Sequence, residues 1–383
     1  MTETGTETGT IRLENLTKSY DGHGEPAVDN LTLDIPAGEI VVLVGPSGCG
    51  KTTTMKLINR LIEPTSGRIY LDGKDVTQEN PDLLRRRMGY TIQQTGLFPH
   101  RTVADNIATV PRMLGWSKDR VAARVDELLN LVGLDPDTYR RRFPKQLSGG
   151  QQQRVGVARA LGGDPEVMLM DEPFGAIDPL NREALQNEFL RIQAELKKTI
   201  VFVTHDIDEA VKMGDRIAIF AQNGRVEQYD TPEKILSEPA NDFVSSFIGA
   251  GAAVRRLSLS RLGDVEVPDG WPTIAEDASA DQRRVAAAGT DRGFLLVLDA
   301  DRKPVGWLPA DKAGEDGQTV PLLGSLGPAD TLYEALDRML TLSSTGHVVT
   351  DAEGRYRGVL ELDSLRTLIH GANSPAGQSQ EVS

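Results

Sequence analysis

A short glycine-rich segment limits the possible folds of this chain more than any other feature. The segment consists of Gly45, Pro46, Ser47, Gly48, Cys49, Gly50, Lys51 and Thr52. The apolar run before it, residues 40–44, has the length and flanks of a buried strand, and residues 51–61 favour a helix. A turn of this kind presents free backbone N–H groups at a helix N-terminus, where the dipole also favours negative charge. The segment therefore predicts a phosphate-binding loop in an α/β domain.

The residue types in this loop indicate which ligand it holds. The ammonium group of Lys51 can reach β- and γ-phosphate oxygens, and the hydroxyl group of Thr52 can bind Mg²⁺. We expect all eight loop residues and Thr53 to contact a nucleoside triphosphate. Cys49 lies beside Lys51 and near a helix N-terminus, conditions that favour a reactive and accessible thiolate. A turn that binds nothing is the alternative, but it leaves the combination of strand, helix and Lys-Thr pair unexplained.

Two further apolar runs end in residues that can act on a phosphate group. Residues 167–170 read as a buried strand that is followed by Asp171 and Glu172. Asp171 can hold Mg²⁺ through water, and Glu172 can orient or deprotonate the attacking water. Residues 199–203 read as another strand, after which His205 can contact the γ-phosphate. The alternatives are an acidic pair at a helix N-terminus and a histidine with a structural hydrogen bond; the phosphate loop favours the catalytic interpretation.

A second candidate anion site precedes a predicted helix over residues 152–161. Its residues are Ser148, Gly149, Gly150 and Gln151, which follow Leu147. Small residues at a helix start leave N–H groups open to an anion. Because the chain already has a complete phosphate loop, this second site is expected to bind the nucleotide of a partner. The sequence thus predicts a head-to-tail dimer of two copies with two ATP molecules between them.

Composition and charge exclude several classes of protein. No apolar run approaches the roughly eighteen residues that span a bilayer. The net charge of −14 argues against nucleic acid as a partner. A single cysteine excludes an intramolecular disulfide and suits a reducing cytoplasm. The N-terminus lacks the basic and apolar parts of a signal peptide, and the polar ends, residues 1–9 and 371–383, are expected to be disordered.

Together these segments resemble the ATPase subunits of ABC transporters, over residues 10–248. The resemblance implies a P-loop NTPase core with antiparallel β and helical subdomains, which binds and hydrolyses ATP with Mg²⁺. It also implies that Tyr20 stacks on adenine and that Asp178 communicates across the dimer. Gln93 would contact Mg²⁺ and the attacking water, and would couple the site to the membrane subunit. Ile177 stands where the family usually has leucine, which is a mild departure from its pattern.

A finer resemblance concerns the type of transporter. Residues 53–64, 92–100 and 200–206 are similar to the ATPases of osmoprotectant importers. This implies a peripheral subunit on the cytoplasmic face of the cell membrane. It would power uptake of quaternary-ammonium or betaine-type solutes through a separate integral-membrane permease. An extracytoplasmic solute-binding protein would deliver the solute to that permease. Phe98, Pro99 and His100 would lie where the permease docks, or would simply anchor a loop. The alternatives are an importer of another small solute, such as an amino acid, and a soluble ABC ATPase that acts on DNA or ribosomes.

The last third of the chain contains an internal repeat with a spacing of 52 residues. Residues 298–301 recur as residues 350–353, and Gly306 recurs as Gly358. Each copy reads as strand, polar turn, strand and short helix, and a further helix precedes the second copy. Such a repeat resembles a tandem pair of cystathionine-β-synthase (CBS) domains, with a degenerate first domain at residues 254–313 and a second at 317–370.

The CBS-like region departs from the pattern of ligand-binding members. These commonly carry Ser or Thr three residues after the second-strand glycine, and Asp three residues further on. The corresponding residues here are Pro309 and Lys312 in the first copy and Glu361 and Ser364 in the second. Regulation through charge or dimer contacts is therefore expected, rather than binding of an adenosine nucleotide. A regulatory nucleotide sensor built on this pair is a further alternative for the whole chain, which the complete hydrolytic set disfavours.

Overall fold

The computed structural model divides the chain into two units, Met1–Gly249 and Ala250–Ser383. It describes residues 9–20, 24–91, 96–175, 177, 179–314 and 319–371. The predicted disordered ends lie outside these residues, except for their innermost positions, Gly9 and Gly371. The backbone N–H of Gly9 donates to the carboxylate of Asp72 at 2.5 Å, and the last helix ends at Gly371.

Ten strands in the described part of the first unit form two sheets. They are β1 (Ile11–Lys18), β2 (Val28–Ile35), β3 (Ile40–Val44), β4 (Ser66–Leu71), β5 (Lys74–Asp75), β6 (Met88–Thr91), β7 (Val167–Asp171), β8 (Thr199–Thr204), β9 (Arg216–Phe220) and β10 (Val226–Asp230). The smaller sheet is antiparallel, with the order β2-β1-β4-β5. The larger sheet has the order β10-β9-β3-β8-β7-β6 and is parallel except for β10. The predicted α/β core and antiparallel subdomain are both present.

Helices connect and cover these strands. They are α1 (Lys51–Ile58), α2 (Pro81–Arg85), α3 (Val103–Ile107), α4 (Thr109–Met113), α5 (Lys118–Leu131), α6 (Pro136–Tyr139), α7 (Gly149–Leu161), α8 (Pro179–Leu196), α9 (Ile207–Met213), α10 (Pro232–Ser237) and α11 (Asp242–Ile248). Helices α3 to α7 lie between β6 and β7 in the chain and supply the predicted helical region.

Helix α1 is shorter than the sequence indicated. It ends at Ile58 instead of residue 61 because Arg60 adopts a left-handed backbone conformation, with φ of 47°. The Arg60 guanidinium is buried and donates to the carbonyl of Val76 at 3.0 Å, so the contact made by this side chain outweighs its helix propensity.

Strand register places the ends of β3, β7 and β8 at one edge of the larger sheet. Val44, the last residue of β3, pairs with Thr204, and Asp171, the last residue of β7, pairs with Val203. In a parallel sheet such carboxyl ends lie side by side, where the following loops can share a ligand. The phosphate loop, the acidic pair and His205 therefore meet at this edge.

The second unit contains six strands and four α-helices in its described residues. The strands are β11 (Thr273–Ala275), β12 (Phe294–Leu298), β13 (Pro304–Pro309), β14 (Val320–Pro321), β15 (Gly346–Thr350) and β16 (Tyr356–Glu361). The helices are α12 (Ala252–Leu257), α13 (Ala280–Ala288), α14 (Leu332–Thr341) and α15 (Leu362–Gly371). The sheet β11-β12-β13-β14 is mixed, and β15 and β16 form an antiparallel pair. This unit is the α+β addition that the sequence indicated.

The internal repeat is a structural repeat with the same spacing. Strands β12 and β13 recur as β15 and β16, each displaced by 52 residues, and α13 recurs as α14 with starts 52 residues apart. The turns also correspond, since Asp299 and Asp351 each accept two backbone N–H groups, from the second and fourth residues that follow. The two copies therefore share one local fold, although α13 buries no side chain whereas α14 buries three.

The repeated glycines allow the two copies to cover each other. Gly306 of the first copy pairs with Pro321, and a Cβ at Gly306 would lie 2.7 Å from the carbonyl oxygen of Val320. In the second copy, a Cβ at Gly358 would lie 2.5 Å from the carbonyl oxygen of Pro268. Pro268 and Val320 are themselves 52 residues apart. The opening segment of each copy thus passes over the second strand of the other.

We expect Gly358→Ala to destabilise the second unit, because the new methyl group forces the segment at Pro268 away from β16. Overpacking of this kind costs about 1–3 kcal/mol. Urea denaturation of the full chain would measure the loss. Gly270→Ala is the matched control, because a Cβ there meets nothing within 4 Å. Equal stability of the two variants would contradict the close approach at Gly358.

Candidate functional site

The loop after β3 has the backbone conformation that its glycines permit. Gly50 has φ of 105°, and a Cβ there would lie 2.6 Å from the carbonyl oxygen of Ala27, so only glycine fits at this position. The ammonium group of Lys51 is buried within the loop and donates to the carbonyls of Gly45 at 2.7 Å and Pro46 at 2.9 Å. A phosphate group would offer this ammonium an anionic partner in place of the two carbonyls.

Cys49 does not have the accessibility that its sequence context predicted. Its side chain is only 1% exposed and belongs to the hydrophobic core, and its sulfur lies 3.5 Å from Lys51 Nζ. A cysteine buried in this way behaves as a small apolar side chain. The expectation of an accessible, reactive thiolate is therefore wrong, and Cys49 can serve a phosphate only through its backbone N–H.

Thr52 and Asp171 form an oxygen donor pair. The Thr52 hydroxyl donates to a carboxylate oxygen of Asp171 at 3.2 Å, which joins the start of α1 to the end of β7. Burial raises the pKa of Asp171, whereas the hydrogen bond from Thr52 opposes this shift and the charge of Glu172 adds to it. A cation between these oxygens would stabilise the ionised carboxylate. Mg²⁺ takes few protein oxygens and completes its shell with water and phosphate, so this pair fits it. The described residues contain no cluster of three or more His, Cys, Asp or Glu side chains that could hold a metal ion. Water and phosphate oxygens would therefore have to complete the shell of a metal ion at this pair.

Glu172 and His205 are in direct contact beside this pair. His205 Nδ1 lies 3.2 Å from Glu172 Oε1, and the backbone N–H of Glu172 donates to the carbonyl of Val203 at 3.0 Å. Glu172 has φ of 44°, a left-handed conformation that a non-glycine residue adopts at a cost of about 1–3 kcal/mol. The His205 side chain is 61% exposed and that of Glu172 24% exposed, so both can be reached by a ligand at the strand edge.

The residues of the second candidate anion site, 148–151, lie at the start of helix α7, which we call the signature helix. Ser148 is its N-cap: its hydroxyl accepts the Gln151 N–H at 3.3 Å, and the Gln151 side-chain carbonyl accepts the Ser148 N–H at 3.0 Å. A Cβ at Gly149 would meet nothing within 4 Å, so the surface in front of this helix start is open. The sequence predicted a helix that starts at residue 152, directly after this segment. The structure confirms the helix but starts it three residues earlier, at Gly149.

Tyr139 is a part of this site that sequence reasoning missed. Its hydroxyl oxygen accepts a hydrogen bond from Gln151 Nε2 at 3.1 Å, and the Arg142 guanidinium lies over its ring at 4.6 Å. The contact fixes the Gln151 side chain from outside α7. No spacing in the sequence announces it, because Tyr139 ends a separate short helix, α6.

The structure describes only some of the other residues that were predicted to lie at the nucleotide site. Tyr20 is 41% exposed, with Lys18 Nζ at 5.1 Å from its ring centre, so one ring face remains available for stacking. Gln93 and Asp178 lie outside the described residues. Ile177 is described, and its carbonyl accepts a hydrogen bond from Arg182 at 3.1 Å.

A cavity of about 310 Å³ adjoins the chain segment that contains Phe98. Its lining residues come from the edge strand β6, from α4 and α7, and from the loops next to these elements; they are Arg86, Met88, Gly89, Tyr90, Phe98, Thr109, Val110, Arg159, Ala160, Gly163 and Pro165. Burial lowers the pKa of Arg159 and raises that of Tyr90 to about 12. The cavity is therefore a largely apolar recess whose lining includes the partly buried guanidinium of Arg159.

A buried carboxyl group, Glu209, lies in the first turn of α9, just after His205. It accepts a hydrogen bond from Gln186 Nε2 at 3.0 Å. Burial raises its pKa, against the opposing effects of hydrogen bonds from Thr204 and Gln186. Glu209 thus joins α9 to α8, a contact that the sequence did not reveal.

Glu209→Gln should stabilise the protein at alkaline pH and lose this advantage in acid. The folded state holds the Glu209 proton more tightly than the unfolded chain does, so wild-type stability falls as pH rises from about 4.3, the unfolded pKa, through the raised folded value. Melting temperatures between pH 5 and 8 would show a gap that widens with pH. Glu233→Gln, at an exposed first-turn acid of α10, is the control. A gap that does not change with pH would contradict the raised pKa.

The phosphate loop, the acidic strand end with its histidine, and a glycine-rich helix start define the ATP-binding cassette class of P-loop ATPases. The family described as ABC transporter matches residues 28–175. The osmoprotectant import ATP-binding protein OsmV of Salmonella typhimurium is 47% identical over 93% of this chain and 95% of its own length. The carnitine transport ATP-binding protein OpuCA of Listeria monocytogenes is 55% identical over 97% and 96%, respectively. The chain belongs to the ATP-binding subunits of ABC transporters, in the group found in osmoprotectant import systems.

Solved structures agree with this class. The dimeric structure of MJ0796, a bacterial ABC transporter cassette, is 36% identical and covers 58% of this chain and 98% of its own, with a TM-score of 0.52. The structure of cbiO1 from Clostridium perfringens, part of the ABC transporter complex cbiONQ, is 26% identical over 66% and 96%, with a TM-score of 0.57. The predicted P-loop NTPase fold is confirmed, and the chain is an ABC-type ATPase. Among the described residues, no helix is both long and apolar enough to span a bilayer.

Proposed function

We propose that this chain hydrolyses ATP, with Mg²⁺, to power import of quaternary-ammonium or betaine-type solutes through a separate permease. The observation that carries the hydrolytic part is the contact between Glu172 and His205 beside the Thr52–Asp171 pair. The solute class is supported by relatives named for osmoprotectant, carnitine and choline transport. Import of another small solute, such as an amino acid, is the alternative for the same geometry.

The chemistry follows from the positions of these side chains. The triphosphate is held by backbone N–H groups of residues 45–53, and Lys51 turns from its loop carbonyls to the β/γ oxygens. Thr52 and Asp171 would hold Mg²⁺, which would supply positive charge for the phosphate oxygens. Glu172 accepts a proton from the attacking water, and the Nδ1 contact leaves the other ring nitrogen of His205 free to face the γ-phosphate.

The active unit is a head-to-tail dimer of two copies. Ser148, Gly149 and Gly150 begin a helix whose front is open, and Tyr139 and Gln151 hold this start in position. A phosphate loop and a second anion site on one chain are both used when each ATP lies between two chains. The dimeric form of the related cassette supports this arrangement. Tyr20, Gln93 and Asp178 complete the nucleotide site, as the family resemblance implies.

The permease docks at the exposed segment that borders the cavity. We name residues 96–102 the docking loop. Phe98 in this loop is 38% exposed and also lines the cavity of about 310 Å³, so a partner helix finds an aromatic contact beside an apolar recess. This contact holds the subunit at the cytoplasmic face of the membrane, and solute reaches the permease from an extracytoplasmic solute-binding protein.

The second unit regulates hydrolysis as a tandem pair of CBS domains, a degenerate one at residues 254–313 and a second at residues 317–370. At the position of the usual ligand-binding hydroxyl in the second copy, Glu361 forms an ion pair with Arg292 of the first. The Arg292 guanidinium also lies over the Trp271 ring at 4.6 Å. The Arg292–Glu361 ion pair between the copies thus lies where an adenosine ligand would need a neutral hydrogen-bond donor. This favours regulation through charge over regulation by a bound nucleotide.

Glu172→Gln should bind ATP normally and reduce turnover by at least ~10²-fold, the usual effect of removing a general base. We would measure hydrolysis and glycine betaine, carnitine and choline uptake with the permease in liposomes, and the ATP-bound dimer by gel filtration. Glu183→Gln is the control, because that carboxylate is 78% exposed on α8. Turnover close to wild type would remove Glu172 from the catalytic role.

A chain that ends at Gly249 should retain MgATP hydrolysis in the assembled transporter but respond less to salt. Exposed charges interact over a Debye length of roughly 10 Å at 0.1 M salt, and this length shortens as salt increases. Electrostatic contacts made by the exposed charges of the second unit should therefore weaken at high salt. Hydrolysis measured against salt in anionic liposomes would test this. Identical salt profiles for the truncated and full-length proteins would leave the second unit with a structural role only.

A further inference from the structure

Asn106, on α3, holds the docking loop from within. Asn106 is completely buried. Its Oδ1 accepts the backbone N–H of Phe98 at 2.8 Å. Its Nδ2 donates to the carbonyls of Phe98 at 3.2 Å, Arg101 at 3.2 Å and Thr102 at 2.9 Å. A single amide thus binds both ends of the stretch from residue 98 to residue 102.

The outer face of the same stretch remains open. Phe98 is partly exposed, the Arg101 guanidinium lies over its ring at 4.7 Å, and the His100 ring centre is 6.1 Å away. The loop therefore presents a preformed aromatic and cationic surface. A preorganised surface loses less conformational freedom on binding than a mobile loop.

A second contact joins the docking loop to the signature helix. Arg159, in the last turn of α7, donates to the carbonyl of Gly96 at 2.5 Å. Helix α7 starts directly after Ser148, and its thirteen residues give it a length of roughly 20 Å at 1.5 Å per residue. One end of a single rigid helix therefore holds the docking loop, and the other end carries the residues proposed to meet the partner's ATP.

We propose that Asn106 and Arg159 are positioning residues that connect the permease contact to the signature helix. Asn106 keeps the docking loop rigid, so that displacement of Phe98 is not absorbed within the loop. Arg159 passes that displacement to α7 and so to Ser148. The inference rests on the proposed docking of the permease at this loop, and it adds the path by which docking and the ATP-bound dimer affect each other.

The alternative is that both side chains only stabilise the helical region. That role would lower stability and every activity together. The coupling role instead predicts a split, with ATP hydrolysis by the isolated subunit preserved and permease-dependent activity lost. Neither Asn106 nor Arg159 belongs to the nucleotide site, so this split can be measured directly.

The test uses Asn106→Asp, which removes the donor to three carbonyls, and Arg159→Lys, which keeps the charge but loses the guanidinium geometry. We expect isolated-subunit hydrolysis within about twofold of wild type. Uptake and solute-stimulated hydrolysis by the assembled transporter should fall by about tenfold or more. The loss of one hydrogen bond to a buried or charged group changes an equilibrium by about that factor. Matched controls are Arg154→Lys, whose guanidinium donates to the Val132 carbonyl from the same helix, and Asn130→Asp on the exposed face of α5.

Two further measurements keep the result interpretable if a variant folds poorly. In the wild-type protein, hydrogen exchange of the Phe98 amide should be slow despite its exposed ring, because its N–H is bonded to Asn106; fast exchange would overturn the proposal. Phe98→Ala should weaken the complex with the permease. If it does not, the docking site itself is wrong and the inference fails with it. If Phe98→Ala weakens the complex but the Asn106 and Arg159 variants transport normally, only the coupling path is wrong.

Discussion

Backbone hydrogen bonds between β3, β8 and β7 place Val44 beside Thr204 and Asp171 beside Val203, and the rest of the ATPase unit is arranged around this register. The loop after β3 and the residues after β7 and β8 leave the sheet at one edge. A shift of one residue in any of these strands would turn each side chain to the opposite face and separate the groups. The close-packed core beneath the edge prevents such a shift, since the strand residues below it are almost completely buried.

The same burial gives the site its electrostatic character. Asp171 is partly desolvated, and Lys51 is held by carbonyl oxygens of its own loop. Each charged group has a protein partner that is weaker than the partner a nucleotide with Mg²⁺ would supply. Nucleotide binding can therefore replace one set of contacts by another without leaving a buried charge unpaired. An unpaired charge costs more free energy inside the protein than in water.

The second unit, unlike the first, is built from two copies of one local fold. Its two copies share strands, turns and helix starts at one spacing, yet each covers a strand of the other at Gly306 and Gly358. The copies therefore stabilise each other as a pair. The copies nevertheless differ in packing, since the first helix of the repeat, α13, buries no side chain whereas its counterpart α14 buries three.

The sequence by itself determined the features that depend on neighbouring residues. The bounds of β3, the loop that follows it, the presence of a helix after Leu147 and the repeat of 52 residues are all patterns of spacing or period. These are local properties of the chain, and family resemblance joined them into one ATPase fold. The sequence also indicated the α+β content of the second unit, because the turn residues recur in both copies.

Only the tertiary structure decided which distant side chains meet. It buried Cys49 although its neighbours favour reactivity, brought Tyr139 to Gln151, and placed Asn106 beneath the docking loop. It also ended α1 early, because Arg60 gains more from a buried contact than from continuing the helix. None of these outcomes follows from propensity or spacing, since each depends on the packing of elements that the chain separates.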